Sequence, residues 1–289
     1  MKLAVASGKG GTGKTMIAVS LALSLAQKRS VAFIDADVEA PNAHLFLKPQ
    51  GLGSERVSMR VPEVDSQLCN GCGTCADLCA YNALAVIKGQ VLLFTELCHG
   101  CGGCTLLCPH SAMVEVSRVI GVIERGSAGT MEFCHGRLNV GEVLSPLIIN
   151  ELKTHALSRH AVVVIDAPPG TSCPMVEAVS GCDVCLLVTE PTPFGQHDLE
   201  AAVEVTRSLG IKTGVVVNRC DQGDDRVYQY CRREGLPILA QFPFSRRLAQ
   251  ALSGGIPAWE GLKGWRHAFT ALGEQVLKME SEDTASCNY

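Results

Sequence analysis

Short, wholly apolar runs alternate along the chain with longer segments in which apolar residues return every three or four positions. Residues 2–7 form the first such run and end in a glycine-rich turn. Met16 to Gln27, with Ile17, Leu21 and Leu25 among alanines, reads as a buried helix. Val31-Ala32-Phe33-Ile34 is a second strand and ends in Asp35-Ala36-Asp37. Later runs also end in polar residues: 162–165 in Asp166, 184–188 in Thr189-Glu190-Pro191, 215–217 in Asn218-Arg219, and 238–242 in Pro243. Helix-length segments fall at 145–159, 195–209, 225–234 and 264–279. This pattern predicts an α/β fold with a mostly parallel sheet covered by helices on both faces. Polar residues at strand C-termini are where such sheets bind ligands.

One stretch breaks the rhythm. Between about Glu63 and Arg118 the sequence Cys69-Asn70-Gly71-Cys72-Gly73-Thr74-Cys75, then Cys79, is echoed by Cys98-His99-Gly100-Cys101-Gly102-Gly103-Cys104, then Cys108. The period is 29 residues. Two copies are too few for a solenoid and describe one small pseudo-symmetric domain. The expected organisation is therefore a host domain of residues 1–62 and 119–280, an inserted domain of 63–118, and a tail of 281–289. Segments 119–125 and 131–138 read as a hairpin leading back into the host sheet.

Composition narrows the function classes. A formal net charge of −4 gives no basic footprint for nucleic acid. No apolar run approaches the roughly 18–20 residues that span a bilayer. Glycines interrupt the N-terminus too early for a signal peptide, which implies a cytoplasmic protein. Eight of the 15 cysteines crowd into residues 69–108, a distribution that fits metal ligands better than a disulfide framework.

Gly8-Lys9-Gly10-Gly11-Thr12-Gly13-Lys14-Thr15 fits G-x-x-x-x-G-K-[ST] between a strand and a helix. Its backbone N–H groups and the following helix N-terminus are expected to cradle phosphates. Lys14 should reach the β- and γ-phosphates of ATP, and Thr15 should ligate Mg²⁺. Asp166 is the expected carboxylate of the magnesium shell. Of Asp35 and Asp37, Asp37 is the expected residue to position the attacking water, because Pro41 and Asn42 suggest a loop facing the site.

The repeated C-x₂-C-x₂-C-x₃-C is the spacing of bacterial two-cluster ferredoxins, in which the fourth cysteine of each run serves the other cluster. One [4Fe-4S] cluster is thus expected on Cys69, Cys72, Cys75 and Cys108, and another on Cys98, Cys101, Cys104 and Cys79. Zinc would favour two pairs with a longer spacer. Ala80 stands after Cys79 where the pattern usually has proline.

Residues 9–15 resemble the deviant Walker A motif of the MinD/ParA class, which includes the nitrogenase iron protein and Mrp-type ATPases. The resemblance implies an ATP-sandwich homodimer in which Lys9 reaches the partner's nucleotide. Asp35 to Asn42 resembles the class's first switch, and Asp166-Ala167-Pro168-Pro169-Gly170-Thr171 its second. Asn218 and Arg219 match the adenine-contacting positions, and Pro243-Phe244 the loop that closes over the base. A MinD-like ATPase with an inserted two-cluster ferredoxin domain is itself a known subfamily. That resemblance implies ATP-coupled electron transfer to an unidentified redox or metalloprotein partner. Two alternatives stay open: a carrier or maturation ATPase for metal centres, and a redox-sensing regulatory switch.

Cys173, seven residues after Asp166, matches in offset the cysteine by which the nitrogenase iron protein holds a shared cluster, and Cys134 lies roughly where the second ligand falls. Cys182-x-x-Cys185 runs into a strand that would point its ends to different faces. Cys220, Cys231 and Cys287 read as packing or surface residues, and His99 and His135 as solvated loop histidines. The stripe Trp265, Phe269, Leu272, Val276 and Leu277 suits packing on the domain, and the acidic residues after it do not suit a membrane anchor. Two loaded clusters would add about −2 each, so a chain carrying roughly −8 should prefer a basic partner surface.

Overall fold

The computed structural model describes residues 1–156 and 160–281. In chain order the elements begin with β1 (Lys2–Ala6), α1 (Lys14–Leu25), β2 (Val31–Asp35), α2 (His44–Leu47), β3 (Gln50–Val64) and α3 (Thr74–Leu78). They continue with β4 (Leu84–Ile87), β5 (Gln90–Leu93), α4 (Gly103–Leu106), β6 (Met113–Ala128), β7 (Met131–Leu138) and α5 (Ser145–Ala156). Next come β8 (Val162–Asp166), α6 (Cys173–Val179), β9 (Val184–Thr189), α7 (Pro193–Ser208) and β10 (Lys212–Asn218). The last are α8 (Arg226–Arg233), β11 (Ile238–Phe242), α9 (Arg246–Ser253), α10 (Ala258–Gly261) and α11 (Lys263–Ser281).

Nine strands form one sheet in the order β11-β10-β9-β1-β8-β2-β7-β6-β3, and β4 pairs antiparallel with β5. Every neighbouring pair from β11 through β7 is parallel. The chain divides into two compact units. The first comprises Met1–Ser54, Ile123–Arg137 and the chain from Pro146 onward; the second comprises Glu55–Val122 and Leu138–Ser145.

In the first unit every residue of β2, β8 and β9 is buried, which is why their sequences are continuously apolar rather than alternating. α1 buries ten of its twelve residues. α7 starts where the Thr192 hydroxyl accepts the Gly195 N–H at 3.0 Å with Pro193 in its first turn, and it buries Leu199, Ala202, Val203 and Thr206. Phe242 stacks on both Trp265 and Phe269 with 4.8 Å between ring centroids. Removing such a buried ring costs about 3–5 kcal/mol. Phe269, Leu272 and Val276 of α11 are fully buried in this core. Among the described residues no helix is long and apolar enough to cross a membrane.

The second unit is small. Its own cluster of buried side chains is Cys75, Leu84 and Met113. The sequence repeat is also a repeat of backbone conformation: Gly71 and Gly100, Gly73 and Gly102, and Asn82 and Ser111 are all left-handed, each pair 29 residues apart.

Several elements lack a strong sequence signal. β3 begins with exposed Gly- and charge-rich residues, and only Met59, Val61 and Pro62 near its end are buried. The strand expected at 119–125 runs from Met113 to Ala128. α6 and α9 are only seven and eight residues long, and β4 and β5 four each, too short for a periodic pattern. The tail beyond Ser281, with Cys287, lies outside the described residues.

Candidate functional site

The loop Gly8–Thr15 leaves the C-terminal end of β1 and enters α1. Gly13 begins the helix at φ 90°, and a Cβ there would sit 2.5 Å from Asn218 Nδ2, so only glycine fits. No side chain caps the first turn of α1 and no acidic residue lies in it. The helix therefore presents free N–H groups and its positive end to the loop, an arrangement suited to an anion. A cavity of ≈ 390 Å³ opens over this end, with Lys9, Gly10, Gly11, Gly13, Lys14, Thr15 and Asp37 in its wall.

Neighbouring parallel strands bring the acidic residues together. Asp35 at the end of β2 is in register with Asp166 at the end of β8, and both are fully buried. Lys14 Nζ lies 2.7 Å from Asp166 Oδ1. Asp166 Oδ2 is buried without a hydrogen-bond partner, as is Thr12 Oγ1. Such an unmatched carboxylate oxygen at the end of β8 fits the coordination needs of a divalent cation. Asp35 accepts the N–H groups of Asp37, Asn42 and Ala43 at 3.2, 3.0 and 2.9 Å. It thus shapes the segment that carries Asp37. Burial, and then the Asp166 carboxylate, push Asp35 up to about 7. Asp37 is also raised, chiefly by burial.

A second cavity of ≈ 100 Å³ gathers Gly13, Asn218, Arg219, Pro243 and Phe244. Asn218 Nδ2 donates to the Thr12 carbonyl at 2.7 Å, tying the end of β10 to the phosphate loop. Arg219, left-handed at φ 51°, pairs with Glu190 at 2.7 Å. Lys9 also approaches Glu190, at 3.9 Å, so in this chain it turns inward to its own carboxylate. Glu190, which pairs with both Lys9 and Arg219, has no role assigned from the sequence, although it stands just after the end of β9.

In the second unit Cys69, Cys72, Cys75 and Cys108 line one small cavity. Cys79, Cys98, Cys101 and Cys104 line another, whose wall Cys75 also reaches. In each the fourth cysteine of one run joins three from the other. The N–H groups of Ala83 and Ala112 point at Cys79 and Cys108 Sγ, both at 3.3 Å, and that of Gly100 at Cys98 Sγ at 3.5 Å. Among the described residues no three His, Cys, Asp or Glu close tightly enough to hold a single metal ion. Four thiols spread around a cavity, with N–H groups aimed at sulfur, fit a multi-iron group with separate corners better than one ion.

Residues 3–258 match the CobQ/CobB/MinD/ParA nucleotide-binding domain. The chain belongs to that family. It is a nucleotide-binding P-loop protein of the MinD/ParA ATPase class. An uncharacterised protein of Methanocaldococcus jannaschii is 36% identical over 76% of this chain and 78% of its own length. An iron–sulfur cluster carrier protein of Pyrococcus abyssi is 23% identical, covering 89% of this chain and 78% of its own. The septum-site-determining protein MinD of Pyrococcus horikoshii, solved with Mg-ADP, superposes with a TM-score of 0.61 at 18% identity, covering 96% of each chain. That likeness is one of fold.

Within this MinD/ParA-class frame the remaining sequence candidates separate. Cys134 is buried in β7 against the Phe33 carbonyl, and burial pushes its thiol up to about 12, so it is no surface ligand. Cys173 is exposed at the start of α6. Cys182 and Cys185 are buried, and burial raises both thiols, Cys182 to about 11. Cys231 is buried and Cys220 half-buried. The expectation of a solvated loop residue holds for His99, which is exposed outside any helix or strand, and fails for His135. His135 is buried with Nε2 2.8 Å from Glu124 and its ring edge-on to His44. His99 stacks on Tyr81.

Proposed function

We propose that the chain is an ATP-hydrolysing iron–sulfur protein in which a nucleotide-driven homodimer switch governs electron transfer from the second unit to a partner redox protein. Support for the iron–sulfur part comes from one observation above all: eight cysteines in two cavities, each drawing its fourth cysteine from the other run. Cys69, Cys72, Cys75 and Cys108 would hold one [4Fe-4S] cluster, and Cys98, Cys101, Cys104 and Cys79 the other. Bound clusters would supply one-electron storage at low potential.

ATP phosphates take the N–H groups of Gly10 to Thr15, and the base takes the cavity of Asn218, Arg219 and Pro243. Lys14 exchanges Asp166 for the β- and γ-phosphates. Thr15 and Asp166 would hold Mg²⁺, which offsets phosphate charge. Asp37 orients the attacking water, and its burial-raised affinity for a proton suits it to accept one. Lys9 leaves Glu190 for the partner protomer's nucleotide. The segments around Asp37 and Pro169 order on ATP and relax after hydrolysis.

The relative from Pyrococcus abyssi, a cluster carrier by name, favours a second reading, delivery of a cluster to an acceptor protein. Chain loaded anaerobically with iron and sulfide, reduced, and mixed with a candidate partner separates the two. Electron transfer predicts partner reduction that needs ATP turnover, with iron retained on the chain. Delivery predicts iron appearing on an apo-acceptor. ATP-independent reduction of every partner tried would sink the first reading.

A further inference from the structure

The two cysteine cavities are built from equivalent chain positions but covered by different side chains. The residue after the first cysteine of each run is Asn70 or His99, and the second residue after the fourth is Tyr81 or His110. Because the runs exchange their fourth cysteines, Asn70 meets His110 at the first cavity and His99 meets Tyr81 at the second. Asn70 Nδ2 lies 2.9 Å from His110 Nε2, and Asn70 Oδ1 accepts the Cys72 N–H at 3.1 Å. His99 and Tyr81 instead lie face to face, 3.7 Å between centroids and 9° from parallel. Thr74, whose hydroxyl is 3.4 Å from Cys72 Sγ, adds a further polar group to the first rim; the equivalent position at the second is Gly103.

These covers differ in how they treat water. A hydrogen-bonded rim exchanges its partners for water at small net cost. Two stacked rings bury their apolar faces against each other and separate only by exposing them. Each pair is itself exposed and stands at the rim between its cavity and water.

We propose that the two covers make the sites unequal: the site of Cys79, Cys98, Cys101 and Cys104 retains its cluster, while that of Cys69, Cys72, Cys75 and Cys108 surrenders its cluster first. The proposal rests on the reading of the eight cysteines as ligands of two clusters. It gives Tyr81 and His99 a protective role and marks the polar-rimmed site as the exchangeable one.

The test uses the full chain loaded anaerobically and challenged with excess EDTA, following iron release and the loss of visible cluster absorbance. Release is expected in two phases of equal size, with rates about tenfold apart. Cys72→Ser should keep only the slow phase. Tyr81→Ala should bring the slow phase close to the fast one, Tyr81→Phe should preserve it, and Asn70→Ala should leave it unchanged. A single phase from a chain holding about eight irons overturns the proposal alone. So does an unaltered slow phase in Tyr81→Ala. A chain that never loads about eight irons overturns the cluster reading, and this proposal with it.

Discussion

The phosphate loop hangs between β1 and α1, elements with almost every residue buried, whereas the clustered cysteines hang on helices of five and four residues over three buried side chains. In the first site a large parallel sheet sets the spacing of Asp35, Asp166 and the loop. The second rests on a small cluster of buried side chains, and under the iron–sulfur reading proposed above it would draw stability from the groups its cysteines hold. The contrast is between a site that the fold makes and a site that, on that proposal, helps to make its own fold.

Stripping iron tests that contrast most severely. Chelation should cost the second unit most of its stability, while ATP binding by the first persists. Hydrogen exchange should show protection lost at the Ala83 and Ala112 amides and kept in β1 and β8; equal loss in both units would erase the distinction.

Lys14→Ala comes next. It leaves Asp166 buried and uncompensated, at a cost of about 3–5 kcal/mol in a denaturant melt. ATP turnover should fall roughly 10²–10³-fold. Adding Asp166→Asn should restore much of the stability and none of the turnover, which separates the pair's structural role from its chemical one. Gly13→Ala should cost more than about 1 kcal/mol through its left-handed backbone and its clash with Asn218, and weaken nucleotide binding while iron loading stays normal.

The smallest effect is a pH slope. Burial, and then His135, lower the His44 imidazole; Glu124 and Arg137 also act on it. A base with a depressed value contributes stability above its unfolded value of about 6.5 and loses it as pH falls further. Melts between about pH 7.5 and 5.5 should therefore be flatter in His44→Gln than in the parent chain.

Where ligands bind in the first unit is legible in the sequence because strand ends and the glycine loop are local signals. Which side chains touch is not. Lys9 meets Glu190, and Asn218 meets Thr12, across more than 180 residues of chain, and only the strand order brings them together. His135 reads as a solvated loop histidine although it falls in the expected 131–138 hairpin, because that strand, MEFCHGRL, carries no purely apolar run to mark it as buried. In the cysteine unit the spacing alone announces both groups of four, yet the stack of His99 on Tyr81 follows from the exchange of fourth cysteines between runs. No single run displays it.

The Glu190 carboxylate, met by Lys9 from the phosphate loop and Arg219 from the base cavity, sets up a competition between contacts in cis and in trans. In the proposed homodimer Lys9 would have to leave its own chain's Glu190 before serving a second protomer. A half-exposed ion pair of this kind is worth at most about 1 kcal/mol, a bias of roughly fivefold. That is too weak to lock the monomer and enough to raise the protein concentration at which two copies associate. On the proposed dimerisation, the threshold for assembly is thus partly written in a carboxylate of the same chain.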